Sequence, residues 1–377
     1  VVVRARECGP TARTRRRPSR RGASRGMRGR ARAVAARSAR LIARDARRRA
    51  VVSRASGDGR EALVPRAREG ATALATLSMA SYWRFGQRGY FDADAREAEL
   101  DFATPLGFEP LIGDGRALRR ATLEAFPKLK RLSWNDGGEA TTRAGVFATS
   151  DEEWVVVVFR GTTPSPLRGL IRESQINGRA GQVKMKEGRA HAGYARAYEA
   201  LRDEIETTVR DELERGRGKK VVVTGHSLGG ALTTLCAASL AEAHADVEVE
   251  AVTFGQPRVG DKAFARYLDQ GLTNLNYARI VHGGDLFARV PTSGYWLPSA
   301  NDGKFAVEYA HAGSMLWTNS NSGGGHTYVA KGEEEPEEFS RDVRMLNPIT
   351  VANHHSGYAR FFEDSTIADA WPKAGLL

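Results

Sequence analysis

The most constraining feature of this chain is the stretch VVVTGHSLGG at 221–230. A run of β-branched apolar residues is followed at once by G-x-S-x-G and then by a helical pattern. A strand that turns sharply into a helix around a serine puts that residue in strained backbone. Neighbours two before and two after are crowded, so Gly225 and Gly229 are expected there for clearance. The helix beyond shows Leu228, Leu232 and Leu235 on one side. Its N-terminus aims free N–H groups and a positive dipole at Ser227. Strand before and helix after turn a string common by chance into a candidate nucleophile.

The surrounding pattern agrees. Strand candidates lie at 130–134, 143–148 and 154–159, and again at 221–224, 247–255 and 276–281. WVVVVF at 154–159 is apolar on both faces, as a central strand of a covered sheet must be. Helical patterns fall between them. Along 195–214, Tyr198, Leu201, Ile205, Val209 and Leu213 recur at steps of three and four, an amphipathic helix. Residues 71–86 read as a packed helix. Alternating strands and helices predict an α/β fold with a mainly parallel sheet. Residues 319–345, with GGG and KGEEEPEE, read as a solvated polar insertion without chemistry of its own.

The charge separates by region. Residues 1–60 hold 20 arginines and three acids, net +17, whereas the remainder holds 37 bases against 42 acids, net −5. The basic character belongs to one end, so the chain as a whole is not read as a nucleic-acid binder. No aromatic residue occurs in 1–60 to stack on bases. Rich in Arg, Ala and Ser and poor in acid, residues 1–55 read as an organelle transit peptide or a basic leader, with Met27 as a possible start and cleavage near Ala55. Residues 56–75 would then be a linker and 76–377 the folded domain. Plastid is favoured over mitochondrion. No apolar run approaches 18 residues, so no membrane-spanning helix is expected. Cys8 and Cys236 are the two cysteines, and no disulfide within the body is possible.

Four blocks in order, VVFRGT (157–162), HAGY (191–194), VVVTGHSLGGALTTL (221–235) and VTFGQPRVGD (252–261), resemble the class 3 lipase family. These are the fungal-type triacylglycerol lipases and their plant and algal relatives. The likeness covers roughly 80–360. It implies an α/β-hydrolase fold with a lid and a Ser–Asp–His triad, and no cofactor or metal. Oxyanion donors are implied at Leu228, after the nucleophile, and at Thr162, which ends VVFRGT. The acid should follow the serine at the end of a later strand. Asp285 stands there in D-L-F-A-R-V-P, where the family shows D-x-V-P-R-x-P, so Phe287 and Ala288 replace the usual Val and Pro. Asp261 competes for the role but reads better as a helix cap. The family's base lies late in the chain, often as H-x-x-Y. His355 with Tyr358 fits that spacing, with His354 next. His311 matches a position that is usually structural in the family, and His226 is expected to point away from the serine's chemistry.

The lid is expected at about 163–190, with Leu167, Leu170 and Ile171 forming one apolar face. The family's tryptophan and acidic lid pattern are missing. An acyl-lipid substrate (triacylglycerol, galactolipid or phospholipid) and peripheral contact with a membrane or lipid-droplet surface follow from the resemblance. Two rival readings are a small-ester carboxylesterase and a catalytically silent lipase-like scaffold.

Overall fold

The computed structural model describes residues 74–81 except 76, 119–123 except 121, 130–135, 142–149, 154–161, 181–291, 295–298, 304–319 and 325–341, together with His354 and Tyr358. The transit-peptide reading and most of the linker and lid readings lie outside these residues; Leu74 and Ala75, at the end of the expected linker, are helical and buried, and 181–190 ends the expected lid.

The chain opens its sheet with β1 (Lys130–Asn135), β2 (Ala144–Ala148) and β3 (Trp154–Phe159). A small hairpin follows, β4 (Gln182–Lys184) with β5 (Arg189–His191), leading into α1 (Ala192–Glu214). Next come β6 (Lys220–His226), α2 (Leu228–Ala243) and β7 (Glu248–Phe254). α3 (Lys262–Arg266) runs into one π-turn before β8 (Leu275–His282). A hairpin of β9 (Tyr295–Pro298) and β10 (Lys304–Val307) precedes β11 (Ser314–Asn319), β12 (Gly325–Val329) and α4 (Glu337–Arg341).

Among the described residues the main sheet has eight strands in the order β1-β2-β3-β6-β7-β8-β11-β12. β3, β6, β7, β8 and β11 run parallel, and β1, β2 and β12 are attached antiparallel at the two sides. The strands read from sequence are present, each within about one residue of its expected bounds except β6, which runs two residues further, to His226. The central ones are apolar on both faces because helices cover both. Val155 to Phe159 and Val221 to Val223 have no exposed surface. Parallel register brings the ends of the strands together: Phe159 pairs with Gly225, His226 with Phe254, and Phe254 with Ile280. Loops that follow these strands therefore share one edge, where α/β proteins place their ligands.

α1 buries Tyr198, Leu201, Ile205 and Val209 as its periodicity predicts, and adds Tyr194 and Glu212. Leu213 packs only partly. Glu212 is tolerated because Arg215 and Arg217 reach it at 2.6 and 3.4 Å. α2 departs from the one-sided reading, since nearly every residue from Leu228 to Ala241 is buried. α1 packs on its outer side, and small residues let it sit close. Thr233 and Thr234 satisfy their hydroxyls on the carbonyls four residues back, at 2.9 and 3.1 Å. Asp261 caps α3, accepting from the Phe264 N–H at 2.8 Å, as its sequence context predicts.

The polar insertion is not wholly solvated. Its first part forms β12, hydrogen-bonded to β11. In its acidic run, Glu335 is mostly covered and meets Arg258 and Arg279, and Phe339 is fully buried. Composition marks such a run as surface, but two buried guanidinium groups need a counter-charge. No helix among the described residues is long and apolar enough to cross a membrane.

Candidate active site

Ser227 stands between β6 and α2 with φ 58° and ψ −124°, the only positive φ outside glycine among the described residues. Such backbone costs about 1–3 kcal/mol and persists only when the surroundings impose it. Here the crowding is explicit. A Cβ on Gly225 would lie 2.5 Å from the Gly229 carbonyl, and one on Gly229 would lie 2.4 Å from the Phe159 carbonyl oxygen. The Ser227 N–H donates to the Phe254 carbonyl at 2.9 Å, tying the turn to β7. Leu228 opens α2, where main-chain N–H groups have no carbonyl partner inside the helix. Thr162, the other expected oxyanion donor, lies outside the described residues, as do Leu167, Leu170 and Ile171.

Asp285 follows β8 through a turn begun by Gly283 at φ 51°. Its Oδ1 accepts from the Phe287 N–H at 2.9 Å and its Oδ2 from the Tyr358 hydroxyl at 2.6 Å. The sequence places Asp285 correctly at the strand end.

The imidazole between them belongs to His354. Ser227 Oγ lies 2.8 Å from His354 Nε2, and His354 Nδ1 lies 3.0 and 2.9 Å from the two Asp285 oxygens. A carboxylate only accepts, so the tautomer is Nδ1–H toward Asp285, leaving Nε2 to accept from the serine. These contacts favour His354, the second candidate, over the expected base His355, which lies outside the described residues. The reason is helical phase. His354 and Tyr358 are helical residues four apart, the spacing that puts two side chains on one face. Their side chains meet the same carboxylate. An H-x-x-Y reading counted three and chose the neighbour.

Several other residues serve the site without a signal strong enough to single them out. His226, expected to be structural, lies beside the relay: its ring centroid is 4.6 Å from that of His354, and its Nε2 lies 2.6 Å from the His354 carbonyl. An N–H donor there fixes the main chain that carries the imidazole. Phe287 packs against His354 with ring centroids 4.0 Å apart and planes tilted by 31°, so the departure from the family's valine places an aromatic ring against the imidazole. Gly255, φ 58°, leaves room where a Cβ would meet Asp285 Oδ2 at 2.6 Å and the Tyr358 hydroxyl at 2.9 Å. The glycine directly after β7, in FGQP, is the one sequence trace of that close approach.

The relay is dry. Ser227 is 4% exposed and His354 and Asp285 are fully covered. Burial pushes the His354 imidazole down to about 3, so it stands neutral and able to accept a proton. Burial raises the Asp285 carboxyl, against which the Tyr358 hydroxyl, the Phe287 N–H and the charge of Arg289 act. Among the described residues no group of His, Cys, Asp and Glu could hold a metal ion. Cys236 is buried inside α2, away from this chemistry.

Comparison with known proteins follows the same lines. Residues 156–295 match the family model Lipase (class 3). A lipase of Rhizomucor miehei is 32% identical over 184 residues, covering 48% of this chain and 46% of that protein. A secreted mono- and diacylglycerol lipase of Malassezia restricta is 29% identical over 229 residues, covering 59% and 70%. The chain spans about half the length of the curated Rhizomucor and Rhizopus lipases it matches. A solved triacylglycerol lipase, described as having a serine-protease triad at its catalytic centre, superposes with TM-score 0.56 at 25% identity over 77% of this chain and 96% of that one. These likenesses support the class 3 lipase family, and the fold is that of the α/β-hydrolases.

Proposed function

We propose that this chain is a serine lipase that hydrolyses carboxylic esters of acyl lipids by the class 3 route. The observation that carries the reading is the unbroken relay Ser227–His354–Asp285 on a strained strand-to-helix turn. His354 takes the Ser227 proton as Oγ attacks the ester carbonyl. Asp285 holds the tautomer and stabilises the imidazolium. Main-chain N–H groups at Leu228 and Thr162 receive the oxyanion. His354 then protonates the leaving alcohol, and activated water releases the fatty acid from the acyl-serine.

The near-complete covering of Ser227 favours a site that must be uncovered to admit substrate. That supports a lipase acting at a lipid surface over an open small-ester carboxylesterase, and the segment 163–190 with Leu167, Leu170 and Ile171 is the candidate cover. Relatives named for mono-, di- and triacylglycerols support neutral acylglycerols as the first substrates to try. The arginine-rich leader supports delivery to an organelle, plastid before mitochondrion.

The test is hydrolysis of a short-chain ester below and above its solubility limit by the full chain and by Ser227→Ala. Activity absent from the variant and rising sharply at the limit is the expected result. Activity flat across the limit would support the carboxylesterase. Equal inactivity of both proteins on every ester would overturn the enzyme reading in favour of a silent scaffold.

A further inference from the structure

We infer that Glu335, in the acidic run before α4, is a positioning residue for Asp285, and that residues 335–339 form a strap holding the Asp285 turn from behind. The inference rests on the triad proposed above and adds a part of the chain that no catalytic motif reaches.

The turn from Gly283 to Pro291 has little regular structure of its own beyond one 3₁₀ turn, Phe287–Arg289. Its carbonyls are instead held by side chains. Trp317 Nε1 donates to the Gly283 carbonyl at 2.8 Å, and Arg289 Nη2 reaches the same oxygen at 3.2 Å. Arg289 Nη1 donates to the carbonyl of Asp285 itself at 3.3 Å. His311 Nε2 lies 2.8 Å from the Ala288 carbonyl, which identifies the structural role its position suggested. Arg258 Nη1 donates to the carbonyls of Arg289 and Pro291, the latter at 3.2 Å.

These donors lead back to the strap. Arg258 Nη2 meets Glu335 Oε2 at 2.9 Å, Arg279 Nη1 meets Oε1 at 3.2 Å, and His311 Nε2 stands 4.0 Å from Oε1. Arg289 is tied a few residues further on, with Nε donating to the Phe339 carbonyl at 2.8 Å and the guanidinium 4.7 Å from the Phe339 ring. Arg258, Arg279 and Arg289 are all buried. A guanidinium in such surroundings keeps its direction only while a carboxylate or carbonyl fixes it. Glu335 orients Arg258, Arg258 orients the end of the turn, and the turn aims the Asp285 carboxylate at His354. A small misplacement of an orienting group is enough to slow acyl transfer.

The test compares Glu335→Gln, Glu335→Asp and Glu338→Gln in the full chain on a soluble short-chain ester, with active serines counted by a fluorophosphonate. Glu335→Gln is expected to lower kcat per active serine by roughly tenfold to a hundredfold with KM nearly unchanged, and to slow serine labelling in parallel. Glu335→Asp keeps the charge and should restore part of kcat. Glu338→Gln, on an exposed residue of the same run, should match wild type. A lowered unfolding midpoint with wild-type kcat per active serine would overturn the inference and leave the strap a stability element. Should Glu335→Gln fail to fold, Glu335→Asp decides: a lowered kcat supports the strap and an unchanged one overturns it. Equal inactivity of wild type and Ser227→Ala would instead mark failure of the lipase reading.

Discussion

The two halves of the relay are built in opposite ways. Ser227 is placed by its own neighbours: β6 delivers it, α2 carries the chain away, and Gly225 and Gly229 permit the turn. Asp285 and His354 are placed by residues scattered over a hundred positions, from Arg258 and Gly255 to Phe339 and Tyr358. A nucleophile held by local sterics can be recognised as a motif. An acid–base pair held by distant hydrogen bonds can be displaced without touching the motif. A lipase-like chain could thus keep GHSLGG intact and still lose function through its second half.

The largest effect expected is at the base. His354→Ala should lower kcat by about 10⁶-fold, as loss of a triad histidine does, whereas His355→Ala should change it by less than about threefold. Kinetics with a soluble ester read both; the reverse pattern would move the relay to His355.

On the local side, Gly229→Ala forces a Cβ against the Phe159 carbonyl oxygen, 2.4 Å away. Overpacking of this kind costs about 1–3 kcal/mol or more, because backbone rather than a pliable side chain must move. Denaturant unfolding should show the loss, and activity should fall with it. A variant as stable as wild type would mean that the elbow is less tightly determined than its geometry implies.

On the distant side, Tyr358→Phe removes one donor from the Asp285 carboxylate. Hydrogen bonds to charged groups contribute about 1.5–3 kcal/mol, so kcat should fall roughly ten- to a hundredfold with KM retained. Loss of stability with unaltered kcat would assign Tyr358 to packing alone.

The smallest effect concerns pH. His191 caps α1, with Gly193 and Tyr194 N–H donating to its Nδ1, and burial holds it near about 4. The folded state therefore binds fewer protons than the unfolded chain between pH 4 and 6.5. That contribution to stability is complete above about 6.5 and is lost as pH falls toward 4. His191→Asn keeps a capping oxygen and removes the titration. Melting across pH 6.5 to 4 should fall less steeply for the variant; parallel curves would exclude His191 as a contributor.

Strands, helices and the elbow were legible because each rests on short-range physics. Apolar runs need cover, an amphipathic period needs one face buried, and G-x-S-x-G needs clearance within five residues. Asp285 was legible for a related reason, since the end of a strand is a local position. His354 was not, because which of two adjacent histidines meets Ser227 depends on a contact between distant parts of the chain that the letters do not carry. Glu335 was missed because an acidic run has the composition of solvent-exposed surface, and its partners Arg258 and Arg279 lie 77 and 56 positions earlier.

By itself, then, the sequence determined the α/β alternation, the order of the strands along the chain and the candidate nucleophile. Tertiary structure alone decided which imidazole meets Ser227, which hydroxyl steadies Asp285 and which carboxylate of the acidic run turns inward. The division follows from reach. Backbone preference and periodicity act over a few residues, whereas the pairing of buried charges depends on which distant loops the parallel sheet gathers at one edge.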